Sequence, residues 1–212
     1  MTARTPAARP RPTSALEVLW IPLGAGAHVV RASGRAYESI AAHLQGRSRR
    51  ELYHSALTGV LDGACFVIEM APVPDGHGRA SRGVVAEGPV GCRLAGRLRL
   101  FRYEVRRWPG GEISDLASAV GDPVRLTDDA GLVRAALALV PSVPTATWGR
   151  DELHAGEMWN SNSVVAWIVT RLGLEEVAGG PPPGGRAPGW RAGAVVARRQ
   201  LRHSAVHAGV TT

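Results

Sequence analysis

The chain reads as an α+β protein in which a mainly antiparallel sheet packs against a buried helix. Three observations predict this class. Residues Tyr53–Leu61, then Asp62-Gly63, then residues 64–71 carry a β-hairpin signal. Residues 97–106 (RLRLFRYEVR) alternate apolar and charged side chains, as a strand with one wet face does. Strands and helices also come in runs rather than in strict alternation, which argues against a doubly wound parallel sheet.

The elements follow in chain order. Residues 1–14 are rich in Arg and Pro, have no apolar core, and predict a disordered basic arm. A single domain is expected over residues 15–174. It opens with a strand from Leu16 to Leu23, ended by Gly24-Ala-Gly26. The segment from His28 to Arg47 sets Val29, Ala32, Ala36, Ile40 and Leu44 on one helical stripe. A strand, a Gly-x-Gly turn and a helix would begin a dinucleotide site. Here the third glycine and the acidic residue about 20 positions on are both missing, so no cofactor is expected.

The hairpin comes next, because Asp-Gly suits the positive φ angles of a two-residue type I′ turn. Residues 72–92 and 108–126 read as loops, with the alternating strand between them. A helix starts at Asp128, carries Leu132, Ala135, Ala136 and Leu139 on one face, and stops at Pro141. A second helix runs from Ser163 to Leu172, with Gly173 placed to end it. Residues 175–212 are expected to form a Pro/Gly-rich linker and a basic C-terminal tail, with one possible strand at residues 192–197.

Charge placement removes the obvious reading of a basic protein. The chain has 25 Arg and no Lys against 18 acidic residues, a net charge of +7. Residues 15–174, however, hold 17 Arg against 16 acids, so the excess sits at the two ends. A nucleic-acid-binding face on the core is not indicated. Two cysteines, Cys65 and Cys92, are too few for a disulfide framework and match no zinc spacing. His154 and Glu157 lie three apart without a third ligand nearby, so no metal site is expected. No apolar run is long enough to span a membrane, and a cytoplasmic location is the expectation.

Chemistry concentrates in two places. Extending the hairpin register puts His54 opposite Ala71 and Ala56 opposite Glu69. His54 and Glu69 are then diagonal neighbours on one face. An imidazole beside a carboxylate is held in one tautomer and becomes a better base. The second place is Asn160-Ser161-Asn162-Ser163, which runs into an apolar helix. Val164, Val165, Ile168 and Leu172 continue the stripe that begins at Ser161, which directs Ser161 inward. There its hydroxyl would sit beside the free N–H groups of a helix start, donors able to hold an oxyanion. The same quartet also reads as a plain helix cap, since Asn and Ser are favoured N-cap residues.

A nucleophile position at a helix start, with His on an earlier strand, resembles the circularly permuted papain-like fold. Its branches include the lecithin–retinol acyltransferase type and the PPPDE type of peptidase. Asn160-Ser161 stands where such proteins carry an Asn-Cys-like motif, so the family's cysteine is replaced here by serine. The resemblance implies a hydrolase or acyltransferase acting on an amide or ester. Ser161 would be nucleophile, His54 base and Glu69 its orienting acid, with Asn160, Asn162 and Trp159 around the oxyanion and substrate. The substrate would be a small molecule, lipid or peptide. The alternatives are an inactive scaffold binding a peptide or protein partner, or a nucleic-acid accessory protein working through its Arg-rich ends.

Overall fold

A computed structural model describes residues 13–23, 50–73, 82–111, 113 and 116–209. The basic arm over residues 1–12, the Gly24-Ala-Gly26 turn and the helix expected from His28 to Arg47 lie outside them.

Six strands form one sheet: β1 (Ser14–Pro22), β2 (Tyr53–Leu61), β3 (Ala64–Pro72), β4 (Val84–Pro89), β5 (Arg102–Pro109) and β6 (Val124–Thr127). Their spatial order is β4-β5-β3-β2-β1-β6, and every pairing is antiparallel. The β2–β3 hairpin has the register that the sequence specifies, from Leu61 opposite Ala64 back to Leu57 opposite Ile68. Asp62 and Gly63 both take positive φ, 51° and 81°, as a type I′ turn demands. Beyond Ile68 the principal partner of β3 is β5, where Glu69 lies opposite Arg106.

Alternation along the strands separates two faces. Leu16, Val18 and Trp20 of β1, with Tyr53 and Leu57 of β2 and Phe66, Ile68 and Met70 of β3, join the main core. Leu19, Ile21, Ala56 and Val67 point the other way and form a smaller cluster with Ile113. The helices belong to the main-core face. They are α1 (Ala130–Leu139), α2 (Ser161–Arg171), the single turn α3 (Glu175–Ala178) and α4 (Trp190–Gly209). Residues 161–170 of α2 are all buried, because the sheet covers one side and α4 the other. Gly193 permits that second contact: a Cβ there would collide with the Ser163 carbonyl oxygen.

Three expectations are corrected. The domain does not end at 174. Trp190–Gly209 form a helix instead of a strand and tail, and Ala192, Ala194, Val196 and Ala197 are buried in it. A run such as AVVA cannot be assigned to strand or helix by periodicity alone, and here packing on α2 decides. The expected strand at 97–106 starts only at Arg102; before it, Ala95–Arg97 and Arg99–Phe101 are 3-10 turns. Both long loops contain a strand, β4 in the first and β6 in the second.

Candidate functional site

The start of α2 is built from the quartet itself. Asn160 is the N-cap, in extended conformation, and its Oδ1 accepts from the Ser163 backbone N–H at 3.3 Å. Ser163 returns the bond, its Oγ accepting from the Asn160 N–H at 3.1 Å. This is a reciprocal capping box with Ser in place of the usual Glu. The same side chains also reach outward. Asn160 Nδ2 and Asn162 Nδ2 both donate to the Pro188 carbonyl, at 2.8 and 2.9 Å. Ser163 Oγ donates to the Gly189 carbonyl at 2.8 Å, and Glu157 Oε2 accepts from the Gly189 N–H at 3.0 Å. Gly189 has φ of +85°, and a Cβ there would strike the Asn160 amide. The quartet therefore fastens the segment leading into α4.

Asn162 also ties α2 to the sheet. Its Nδ2 donates to the Tyr53 carbonyl at 2.9 Å, and its Oδ1 accepts from Ser55 Oγ at 2.9 Å. Both groups are buried, so each bond replaces water that cannot enter. Polar residues at a buried helix start are a burden unless paired, and here Asn160, Asn162 and Ser163 are paired within the chain.

Ser161 is the member left over. It is 8% exposed, and among the described residues its hydroxyl makes no hydrogen bond. The Ser161 and Asn162 backbone N–H groups, the first two of the helix, have no acceptor there either. A hydroxyl beside two uncommitted amides is half of an acyl-transfer site. The other half is a base.

The structure does not bring His54 to that hydroxyl. Tyr53 and Ser55 face α2, so His54, between them, points through to the opposite face. There its cross-strand partner is Ile21, a member of the smaller cluster. Glu69 is on that far face too, as the register specified, and it is bound to Arg106 at 2.9 Å. Arg106 also bonds Glu104 at 3.1 Å, and Arg82 grips Glu104 with two nitrogens at 3.0 and 2.6 Å. Burial pushes the Glu104 carboxyl up, but the hydrogen bonds and charges of Arg82 and Arg106 outweigh it and hold it below the usual carboxylate range. Glu69 thus belongs to an Arg–Glu lattice on the far face. Trp159 does not line a cleft: it is 1% exposed in the main core.

Residues 94–101, missed as a feature in the sequence, form the other unusual surface. They join β4 to β5, and Leu94, Leu98, Leu100 and Phe101 are exposed on them. The signal was present in the interleaved Arg and Leu, but the alternation matched a strand.

No family model, curated protein or solved structure matches the chain. The fold and site define it as an α+β protein with a six-stranded antiparallel sheet and a buried, capped helix.

Proposed function

We propose that the chain is a non-catalytic binding protein on a permuted papain-like scaffold, in which the nucleophile position has become part of a structural clasp. One observation carries this reading: the sheet stands between His54 and the start of α2. A serine hydroxyl is a weak nucleophile without a base in reach. Among the described residues, His154 is exposed on its loop and His203 is exposed on α4, away from the buried start of α2. The architecture supports the scaffold assignment through its antiparallel sheet, its early hairpin and one wholly buried helix abutting β2. Binding character is concentrated in the exposed Arg/Leu segment between β4 and β5.

A second reading, acyl transfer by Ser161 with His54 as base and Glu69 as its partner, is favoured by the uncommitted Ser161 hydroxyl and helix-start amides. One experiment separates the two. The full chain is incubated with a fluorophosphonate and mapped by mass spectrometry. The binding reading expects no adduct on Ser161. An adduct that disappears in His54→Ala would overturn it and restore the enzyme.

A further inference from the structure

We propose that residues 90–102 are a docking ridge for an anionic lipid surface. This rests on the binding reading above and names its partner. The stretch VGCRLAGRLRLFR carries Arg93, Arg97, Arg99 and Arg102 and no acid. It folds as two consecutive 3-10 turns, Ala95–Arg97 and Arg99–Phe101. Its ends are pinned together, since the Val90 N–H donates to the Phe101 carbonyl at 2.8 Å and the Gly91 N–H to the Trp148 carbonyl at 2.9 Å. The ridge is thus held in shape while its tips stay uncovered. Leu94, Leu98 and Leu100 are 69%, 62% and 78% exposed, and Phe101 is 41% exposed.

Two of the four charges of the ridge are uncommitted, Arg93 being paired with Glu152 at 3.0 Å. A cavity of about 180 Å³ is lined by Val73, Glu87, Arg97, Arg99, Arg102 and Glu104. Arg102 is paired with Glu87 at 2.6 Å, and Glu104 is already taken by Arg82 and Arg106. Among the described residues Arg97 and Arg99 have no ion-pair partner, so the cavity presents two spare guanidiniums. A phosphate group fits that chemistry.

The sequence of the ridge favours a bilayer over an acidic protein. The apolar side chains Leu94, Leu98, Leu100 and Phe101 are all exposed within eight residues of chain. They alternate with Arg in sequence, so acyl-level insertion of Leu and phosphate-level contact of Arg occur together. Each Arg near an anionic membrane contributes roughly fivefold in affinity.

The test is cosedimentation of the full chain with vesicles. One set is phosphatidylcholine alone; the other is phosphatidylcholine mixed with phosphatidylglycerol. The expected result is binding to the anionic vesicles only, falling about 25-fold or more in Arg97→Glu/Arg99→Glu. Leu98→Ser/Leu100→Ser should also release the protein while leaving its melting temperature unchanged, because these side chains are exposed. Binding that survives both double variants would place the attraction in the basic ends and overturn the proposal. Release by an acidic peptide, with the Leu variants inert, would overturn it in favour of a protein partner. Neither outcome touches the fluorophosphonate result, so failure of the lipid assignment is distinguishable from failure of the non-catalytic reading.

Discussion

Asn162 offers a sharp test of the clasp, because local helix chemistry and tertiary packing make opposite predictions for one substitution. Asp is favoured in the first turn of a helix, where the macrodipole welcomes negative charge. On that ground alone Asn162→Asp at the second position of α2 should stabilise the protein by about 0.3–1 kcal/mol. In the structure the Asn162 amide nitrogen donates to the Tyr53 and Pro188 carbonyls, both at 2.9 Å. Replacing that nitrogen by a carboxylate oxygen sets an acceptor against two acceptors at a site only 2% exposed. A buried group left unpaired costs about 1–3 kcal/mol, and more when charged. Two such losses give a destabilisation of roughly 3–5 kcal/mol, which for a chain of this size lowers Tm by about 10 °C. Asn162→Ala should cost a similar amount, since it also strands Ser55 Oγ. Ser161→Ala, by contrast, should fall within about 0.5 kcal/mol of the native chain. Thermal and urea unfolding followed by circular dichroism at neutral pH measure all three. An Asn162→Asp protein as stable as the native one would refute the clasp, as would Ser161→Ala matching Asn162→Ala in cost.

Two further outcomes follow from the ion pairs. Glu104→Leu leaves Arg82 and Arg106 buried without their shared carboxylate, and should destabilise the chain by about 3–5 kcal/mol in chemical denaturation. A cost under about 1 kcal/mol would show that the far-face lattice is not closed to water. Glu152 is held down to about 2 by the Arg93 guanidinium and then by the Thr147 hydroxyl and N–H. Its ordinary value is about 4.3, so the native state binds this proton less readily than the unfolded chain. The stability it adds is fully present above about pH 5 and is lost as pH falls toward about 2. The gap corresponds to about 3 kcal/mol at most, reduced by solvent to about 1–2. Glu152→Gln should remove that acid-sensitive component from a Tm-against-pH curve; an unchanged curve would place the acid transition elsewhere.

The fold was legible wherever one residue type settles a local question. Asp62-Gly63 fixed the hairpin turn, and the turn in turn fixed which residues oppose one another from Leu57 to Ala64. Gly173 marked the end of α2, where it takes φ of 71°. What escaped was decided by distant partners. The run AVVA in α4 has no helical stripe of its own that a short window would detect, and its helix exists because Gly193 lets it lie against Ser163. The Arg-Leu alternation before Tyr103 had the period of a strand. It stops pairing at Arg102 because β4 ends at Pro89, opposite that residue, and leaves the remaining residues no ladder to join.

The site shows the same division more sharply. Register placed His54 and Glu69 on one face of the hairpin, and helical phase placed Ser161 at the inward end of α2. Each inference is local, and neither says on which side of the sheet the helix lies. That side is chosen by bulk. Tyr53, Leu57, Phe66 and Ile68 offer α2 a broad apolar floor, whereas the far face of the same strands carries His54, Thr58, Cys65 and Glu69. Packing the apolar stripe of α2 against that second set would set it on polar and charged side chains, a cost the first set does not carry. Of the residues near His54, Ser55 gave the readable hint. A serine among the large apolar residues of the core face must have a polar partner buried with it, and in the structure that partner is Asn162, whose Oδ1 accepts from Ser55 Oγ.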